Sequence, residues 1–300
     1  MPGANSFAWV YRMRTPFLFS GAFDGTVRKI DFSNMTESGI FTGHTSNVYT
    51  IAFGSDLYLY SGSFDNTVRK IDPSTMTEID IFTGHTSAVN ALAFGSNGYL
   101  YSGSWDNTVR KIDPSDMSEV DAFTGHTDKI IELSFGSDGY LYSASYDRTV
   151  RKIDPSDMSE VGIFTGHTSW VIALSFGSDG YLYSASYDKT ARKIDPSTMT
   201  ETDSFSGYLW APSSLIFGSD GFLYSGDSAD ILRKIDPSDM SEVNIFTGHT
   251  NKISSLTFGS NGYLYSGSWD NTVRKIDPSN MSEVDIFVGH SNNLATLTFG

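Results

Sequence analysis

Between residues 84 and 125 the chain runs through short apolar/polar alternations, each broken after a few residues by turn-forming dipeptides. Val89-Asn90-Ala91-Leu92-Ala93-Phe94 alternates with a period of two, which predicts a strand, called a. Gly95-Ser96-Asn97-Gly98 then permits the positive φ of a tight hairpin, and Tyr99-Leu100-Tyr101-Ser102 predicts strand b. Trp105-Asp106-Asn107 turns the chain again, and the β-branched run Thr108-Val109-Arg110-Lys111-Ile112 predicts strand c. Asp113-Pro114-Ser115 ends that strand, because proline cannot donate into a ladder, and Glu119-Val120-Asp121-Ala122-Phe123 predicts strand d.

This unit recurs. Gly-His stands at Gly43-His44, Gly84-His85, Gly125-His126, Gly166-His167, Gly248-His249 and Gly289-His290, in step with a period of 41 residues; Gly207-Tyr208 keeps the step and loses the histidine. Four short strands joined by hairpin turns at a constant period describe one blade of a β-propeller better than a solenoid or a sandwich. Strands b and c each occur seven times, so the fold class is all-β: a seven-bladed propeller of four-stranded antiparallel blades, spanning residues 15–300 as one domain. Residues 1–14 are left as a leader or an extra strand.

The run Gly-His, strand, Ser-x-x-x-Asp, Thr-Val-Arg and a final apolar-Asp pair resembles the WD-repeat β-propeller family. The family's Trp-Asp is replaced by Ile-Asp throughout, from Ile30-Asp31 to Ile276-Asp277. In that family the tryptophan donates its indole N–H to a Ser or Thr, which contacts His, which contacts the turn Asp. Isoleucine has no donor, so the resemblance implies a three-member network here: His44, Ser61 and Asp65; His85, Ser102 and Asp106; His126, Ser143 and Asp147; His167, Ser184 and Asp188; His249, Ser266 and Asp270. His290 is left without a downstream Asp, and Ser20 with Asp24 without an upstream His. Pairing these builds the seventh blade from the C-terminal strand a and the N-terminal strands b, c and d, similar to the "Velcro" closure of the family, and removes an open sheet edge. A competing assignment gives that strand a to residues 7–12; it would bury Arg12 where other copies place Phe and would strand His290.

Composition narrows the chemistry. A formal charge of −15 opposes phosphate backbones and anionic lipid, so no nucleic acid partner is expected. There is no cysteine, and no apolar run approaches the ~20 residues of a membrane span, so no membrane insertion is expected and a cytoplasmic location is the default. Fourteen of the 20 basic residues are the Arg-Lys pair of strand c, expected to pair with strand d acids such as Glu78 and Asp80. The recurring Ser, His and Asp invite a hydrolase reading, but a nucleophile needs one activated copy beside an oxyanion site, whereas this set repeats at equivalent turns. No enzyme activity, cofactor or metal is expected; Asp113 to Glu119 is oxygen-rich but lacks the spacing of a calcium loop.

Comparison of the copies locates the candidate site. The framework hardly changes, while three columns do: Asn47, Ala88, Lys129, Trp170, Ala211, Lys252 and Asn293; Tyr49, Asn90, Ile131, Ile172, Ser213, Ser254 and Ala295; and Phe23, Phe64, Trp105, Tyr146, Tyr187, Ser228 and Trp269. The family resemblance implies that such positions lie on the top face around the central channel, although the third column reads equally as inter-blade packing. The repeat beginning at Tyr208 also replaces the network Asp by Ala229; it is either drift or a specialised contact using Tyr208, Trp210, Asp227 and Asp230. The expected function is non-catalytic binding of a protein or peptide on the top face through Tyr49, Trp105, Lys129, Trp170, Tyr208, Trp210, Lys252 and Trp269. The alternative is a lectin-like or adhesion module with one weak glycan site per blade.

Overall fold

The computed structural model describes residues 17–299, so the leader at 1–14 and the candidate strand at 7–12 lie outside the described residues. Seven separate four-stranded antiparallel sheets make up the rest. Numbered around the ring, the blades span residues 48–82, 89–123, 130–164, 171–205, 212–246 and 253–288 for blades 1 to 6, and blade 7 joins 294–299 to 18–41. In blade 2 the strands are Val89–Phe94, Leu100–Ser104, Val109–Asp113 and Ser118–Phe123, within one or two residues of the limits read from the pattern. In blade 7, Leu294–Phe299 pairs with Leu18–Ala22, which closes the ring and takes the place the competing assignment reserved for residues 7–12.

Burial explains the sequence of each strand. Strand b is buried along its whole length in every blade, because sheets pack on both of its faces; this is why it reads Leu-Tyr-Ser-Gly/Ala-Ser rather than as a clean alternation. The apolar cores lie between blades. Tyr101, Val109 and Phe123 of blade 2 pack on Ile130, Leu133, Leu141 and Ile153 of blade 3, and Leu18, Ile30 and Met35 of blade 7 pack in the same way on Tyr265, Val273 and Phe287 of blade 6. The isoleucine standing for the family's tryptophan is wholly buried in all seven blades, a core residue without a polar task.

The c–d turn holds a feature absent from the sequence reading. A methionine there takes positive φ in all seven blades, as Met117 does at 52°. A side chain in that region costs about 1–3 kcal/mol. Packing offsets the strain, since Met158 of blade 3 is buried against Tyr101 and Phe123 of blade 2. The outer strand d is kept from edge pairing by a bulge: Lys111 pairs with Asp121 and Ile112 with Glu119, leaving Val120 as the extra residue.

The basic pair of strand c divides its work. Arg69 pairs with Glu78 as expected, but Lys70 does not meet Asp80; its ammonium lies 2.9 Å from Asp56 and donates at 2.7 Å to the Pro114 carbonyl of blade 2. The same Lys-to-Pro bond recurs from Lys111 to Pro155 and from Lys152 to Pro196. Six of the seven strand c lysines, Lys29 through Lys234, therefore clamp neighbouring blades together.

Candidate functional site

The polar network fixes the loops that carry the variable columns. In blade 1, His44 Nδ1 lies 2.9 Å from Asp65 Oδ2 and Nε2 lies 2.7 Å from Ser61 Oγ. A carboxylate only accepts, so Nδ1 carries the proton and, in the neutral ring, Nε2 accepts from the Ser61 hydroxyl. Asp65 also accepts from Thr45 N, Thr67 N and Thr67 Oγ1. Burial works against ionisation of Asp65, but the hydrogen bonds from His44 and Thr67 outweigh it and hold the carboxyl well below the usual carboxylate range. His85, His126, His167 and His249 hold Ser102 and Asp106, Ser143 and Asp147, Ser184 and Asp188, and Ser266 and Asp270 at 2.7–2.8 Å.

The two exceptional blades differ. In blade 7, His290 Nε2 meets Ser20 Oγ at 2.7 Å, but Nδ1 stands 3.6 Å from Asp24 and is buried without a hydrogen-bond partner. Asp24 is instead approached by Ser291 N and Oγ at 3.3 Å and by Arg28 at 3.6 Å. The seventh set is thus stretched on its carboxylate side. In blade 5, Tyr208 fills the histidine's place, with its hydroxyl buried beside that of Ser225. Asp227, fully buried, supplies the missing carboxylate from two residues before Ala229: it accepts from Ala229 N and Ile231 N and lies 3.5 Å from Arg233, whose guanidinium covers the Tyr208 ring. Asp227 is therefore structural, and Tyr208, only 5% exposed, offers no surface to a partner.

Two backbone features bring the variable columns together. The N–H of each third-column residue donates to the carbonyl of the first-column residue of its own blade, as Trp105 does to Ala88 and Tyr187 to Trp170, both at 2.9 Å. Strand a also carries a bulge near its start: Val89 pairs with Ser104 and Ala91 with Gly103, so Asn90 is the unpaired residue. Every second-column position is such a bulge, and the re-aimed side chains line a central channel of about 500 Å³. Polar bulge residues stitch adjacent blades, Asn90 donating to Ile131 O at 2.9 Å and Ser213 to Ile253 O at 2.6 Å.

Around the mouth the aromatic side chains form an arc. Trp269 meets Phe23 at 5.8 Å between ring centroids, Phe23 meets Tyr49 at 5.3 Å, and Tyr49 meets Trp105 at 5.6 Å. Lys129 lies 4.0 Å above the Trp105 ring and Lys252 4.8 Å above Trp269. Beyond Lys129, Tyr146 stacks on Trp170 at 4.2 Å, and Trp170 meets Tyr187 edge-on at 5.3 Å. The arc stops at blade 5, where Ala211, Ser213 and Ser228 stand. The third column does both things its sequence allowed: Phe23 and Trp105 pack across blade boundaries, while Phe64 and Tyr187 are exposed. Trp210 is 60% exposed beside Leu209, on the loop that leads into blade 5.

Of the expected contact residues, Tyr49, Trp105, Lys252 and Trp269 line the channel, Lys129 and Trp170 border it, Trp210 projects from the adjoining loop, and Tyr208 is withdrawn into the core. Sequence reasoning passed over Glu132, which also lines the channel. The signal was in the column Thr50, Ala91, Glu132, Ala173, Ser214, Ser255 and Thr296, where one copy carries a charge among small neutral residues. The carboxylates of the c–d loop are taken up locally, Asp113 accepting from Ser115 N and Asp116 from Ser118 N.

The family model described as WD domain, G-beta repeat (WD40) matches residues 35–72, 76–113, 117–154, 158–195 and 240–277, together more than half of the chain. The matches leave out 196–239, which supplies strand d of blade 4 and strands a, b and c of blade 5, whose network is rebuilt, and the two ends, which supply strand d of blade 6 and strands a, b and c of blade 7. No curated protein matches the chain. Among the described residues no helix is long and apolar enough to cross a membrane.

Proposed function

As a chain that belongs to the WD40 repeat family, whose propellers generally serve as non-catalytic protein-interaction scaffolds, this protein is one for which we propose peptide or protein recognition on the face bearing the channel mouth. The observation that carries the proposal is the exposure of large aromatic side chains there on a frame whose loops are otherwise tied down: Phe64, Trp170, Tyr187 and Trp210 are each more than two-fifths exposed. Aromatic side chains in such positions dominate contact energies, and a rigid frame lowers the entropy lost on binding. The His–Ser–Asp sets are scaffold in this reading, each histidine side chain being fully enclosed. Peptides selected from a random display library on the immobilised protein should bind with one site per chain and lose at least tenfold in affinity in Trp170→Ala and Trp210→Ala. Selected peptides indifferent to both substitutions would overturn it, as would several equivalent glycan sites per chain.

A further inference from the structure

We propose that the central channel is a binding site for an organic cation, the guanidinium or ammonium of a peptide side chain, held by Glu132 beneath the aromatic rim. The proposal rests on the recognition reading above and names the chemistry of its innermost contact.

Glu132 belongs to strand a of blade 3 and lines the channel one residue inward from the bulge at Ile131. The six equivalent residues in the other blades, Thr50, Ala91, Ala173, Ser214, Ser255 and Thr296, show what the architecture needs there, which is a small neutral side chain. A carboxyl at this place serves no fold requirement. Among the described residues its side chain forms no ion pair and no hydrogen bond with another side chain, and the backbone amide of Leu133 lies within reach of it. This acid faces the open channel.

The surroundings favour an organic cation over a metal ion. A divalent metal needs several oxygen ligands, and Glu132 supplies the channel's single carboxylate among the described residues. Aromatic faces attract cations, and the rim already shows this: Lys129 and Lys252 sit over Trp105 and Trp269, and Lys129 also lies 5.9 Å from the Tyr146 ring. A net charge of −15 draws cations toward the protein as a whole.

Titration supplies a signature. Burial pushes Glu132 up to about 8, opposed by the Leu133 amide, so the free acid is mostly protonated at pH 7 and must release its proton to pair with a cation. The other titratable groups lining the channel are Lys252, whose charge burial disfavours, and Tyr49, Tyr146 and Tyr187. Burial raises the hydroxyls of Tyr49 and Tyr146, the latter to about 12, so both stay neutral between pH 7 and 9. Guanidinium affinity should accordingly rise about tenfold from pH 7 to pH 9 as the carboxylate fraction grows.

Calorimetric titration with N-acetyl-arginine amide, against N-acetyl-citrulline amide of the same shape and no charge, tests the site. Wild-type protein should take one arginine amide per chain at least tenfold more tightly than the citrulline compound, with the pH dependence above. Glu132→Gln and Glu132→Thr, the latter copying Thr50, should each lose at least tenfold and flatten the profile, while circular dichroism confirms the fold. No detectable arginine binding by wild type, equal binding of the two probes, or undiminished binding in both variants would overturn the proposal. Val243→Ala, on the outer strand of blade 5, should leave arginine amide binding unchanged. Loss of display-selected peptides in Trp210→Ala, with no arginine site in wild type, would refute the channel proposal and leave the recognition face standing.

Discussion

The hydrogen-bonded sets offer an internal control, because blade 1 and blade 7 carry the same three residue types at different separations. In blade 1 the His44–Asp65 contact is 2.9 Å, a charge-assisted hydrogen bond enclosed by protein, and such bonds contribute roughly 1.5–3 kcal/mol. In blade 7 the His290–Asp24 separation is 3.6 Å, too long for a hydrogen bond, and Asp24 takes Ser291 and Arg28 as alternative partners. An ion pair without the bond falls to about 0–1 kcal/mol. Double-mutant cycles of His44→Ala with Asp65→Ala and of His290→Ala with Asp24→Ala, followed by urea unfolding, should therefore give coupling near 1.5–3 kcal/mol in the first and below about 1 kcal/mol in the second. Equal couplings, or a larger one at the closure, would refute the claim that the network is stretched where the ring is joined.

Other expectations follow from the same packing. Leu294→Ala empties a fully buried place in the core between blades 6 and 7 and should destabilise by about 2–5 kcal/mol, measured by urea midpoint; a change below 0.5 kcal/mol would mean that the closing strand is not docked in solution. Six aspartates, Asp24, Asp65, Asp106, Asp147, Asp188 and Asp270, are held below their ordinary range. Their contribution is present above the unfolded value near ~3.9 and is lost as pH falls through the lower folded value, so melting temperature should drop progressively below about pH 4. Asp65→Asn should make that drop shallower, and an acid limb unchanged by the substitution would count against the pairing. In blade 5, Arg233→Met leaves buried Asp227 without its guanidinium and should cost about 3–5 kcal/mol, more than Arg69→Met in blade 1, whose side chain is less buried; the reverse order would show that Asp227 does not depend on Arg233.

What the sequence by itself determined is the repeated part of the molecule. Alternation, turn dipeptides and the 41-residue step specify four strands and their count, since each depends on contacts within a few residues or with an identical neighbour. Even the closure was legible, because His290 and Asp24 are partners left over from a set otherwise complete. The family features that the Ile-Asp substitution alters were also readable, as isoleucine removes a donor and keeps an apolar core residue.

Tertiary structure alone decided where the unrepeated residues point. A bulge shifts register by one residue and turns Tyr49, Asn90 and Ile131 toward the channel, and no local pattern marks a bulge when the residues around it are small or apolar. Tyr208 reads along the chain as drift or as a contact residue, yet it is buried in the place of the missing imidazole. Asp227 reads as a contact acid, but it ends strand b at a position buried in every blade, where it meets Arg233. Glu132 is the same kind of case: a charge in strand a is unremarkable along the chain, and only the closing of seven strands around one axis places it as the one carboxylate that lines the channel among the described residues.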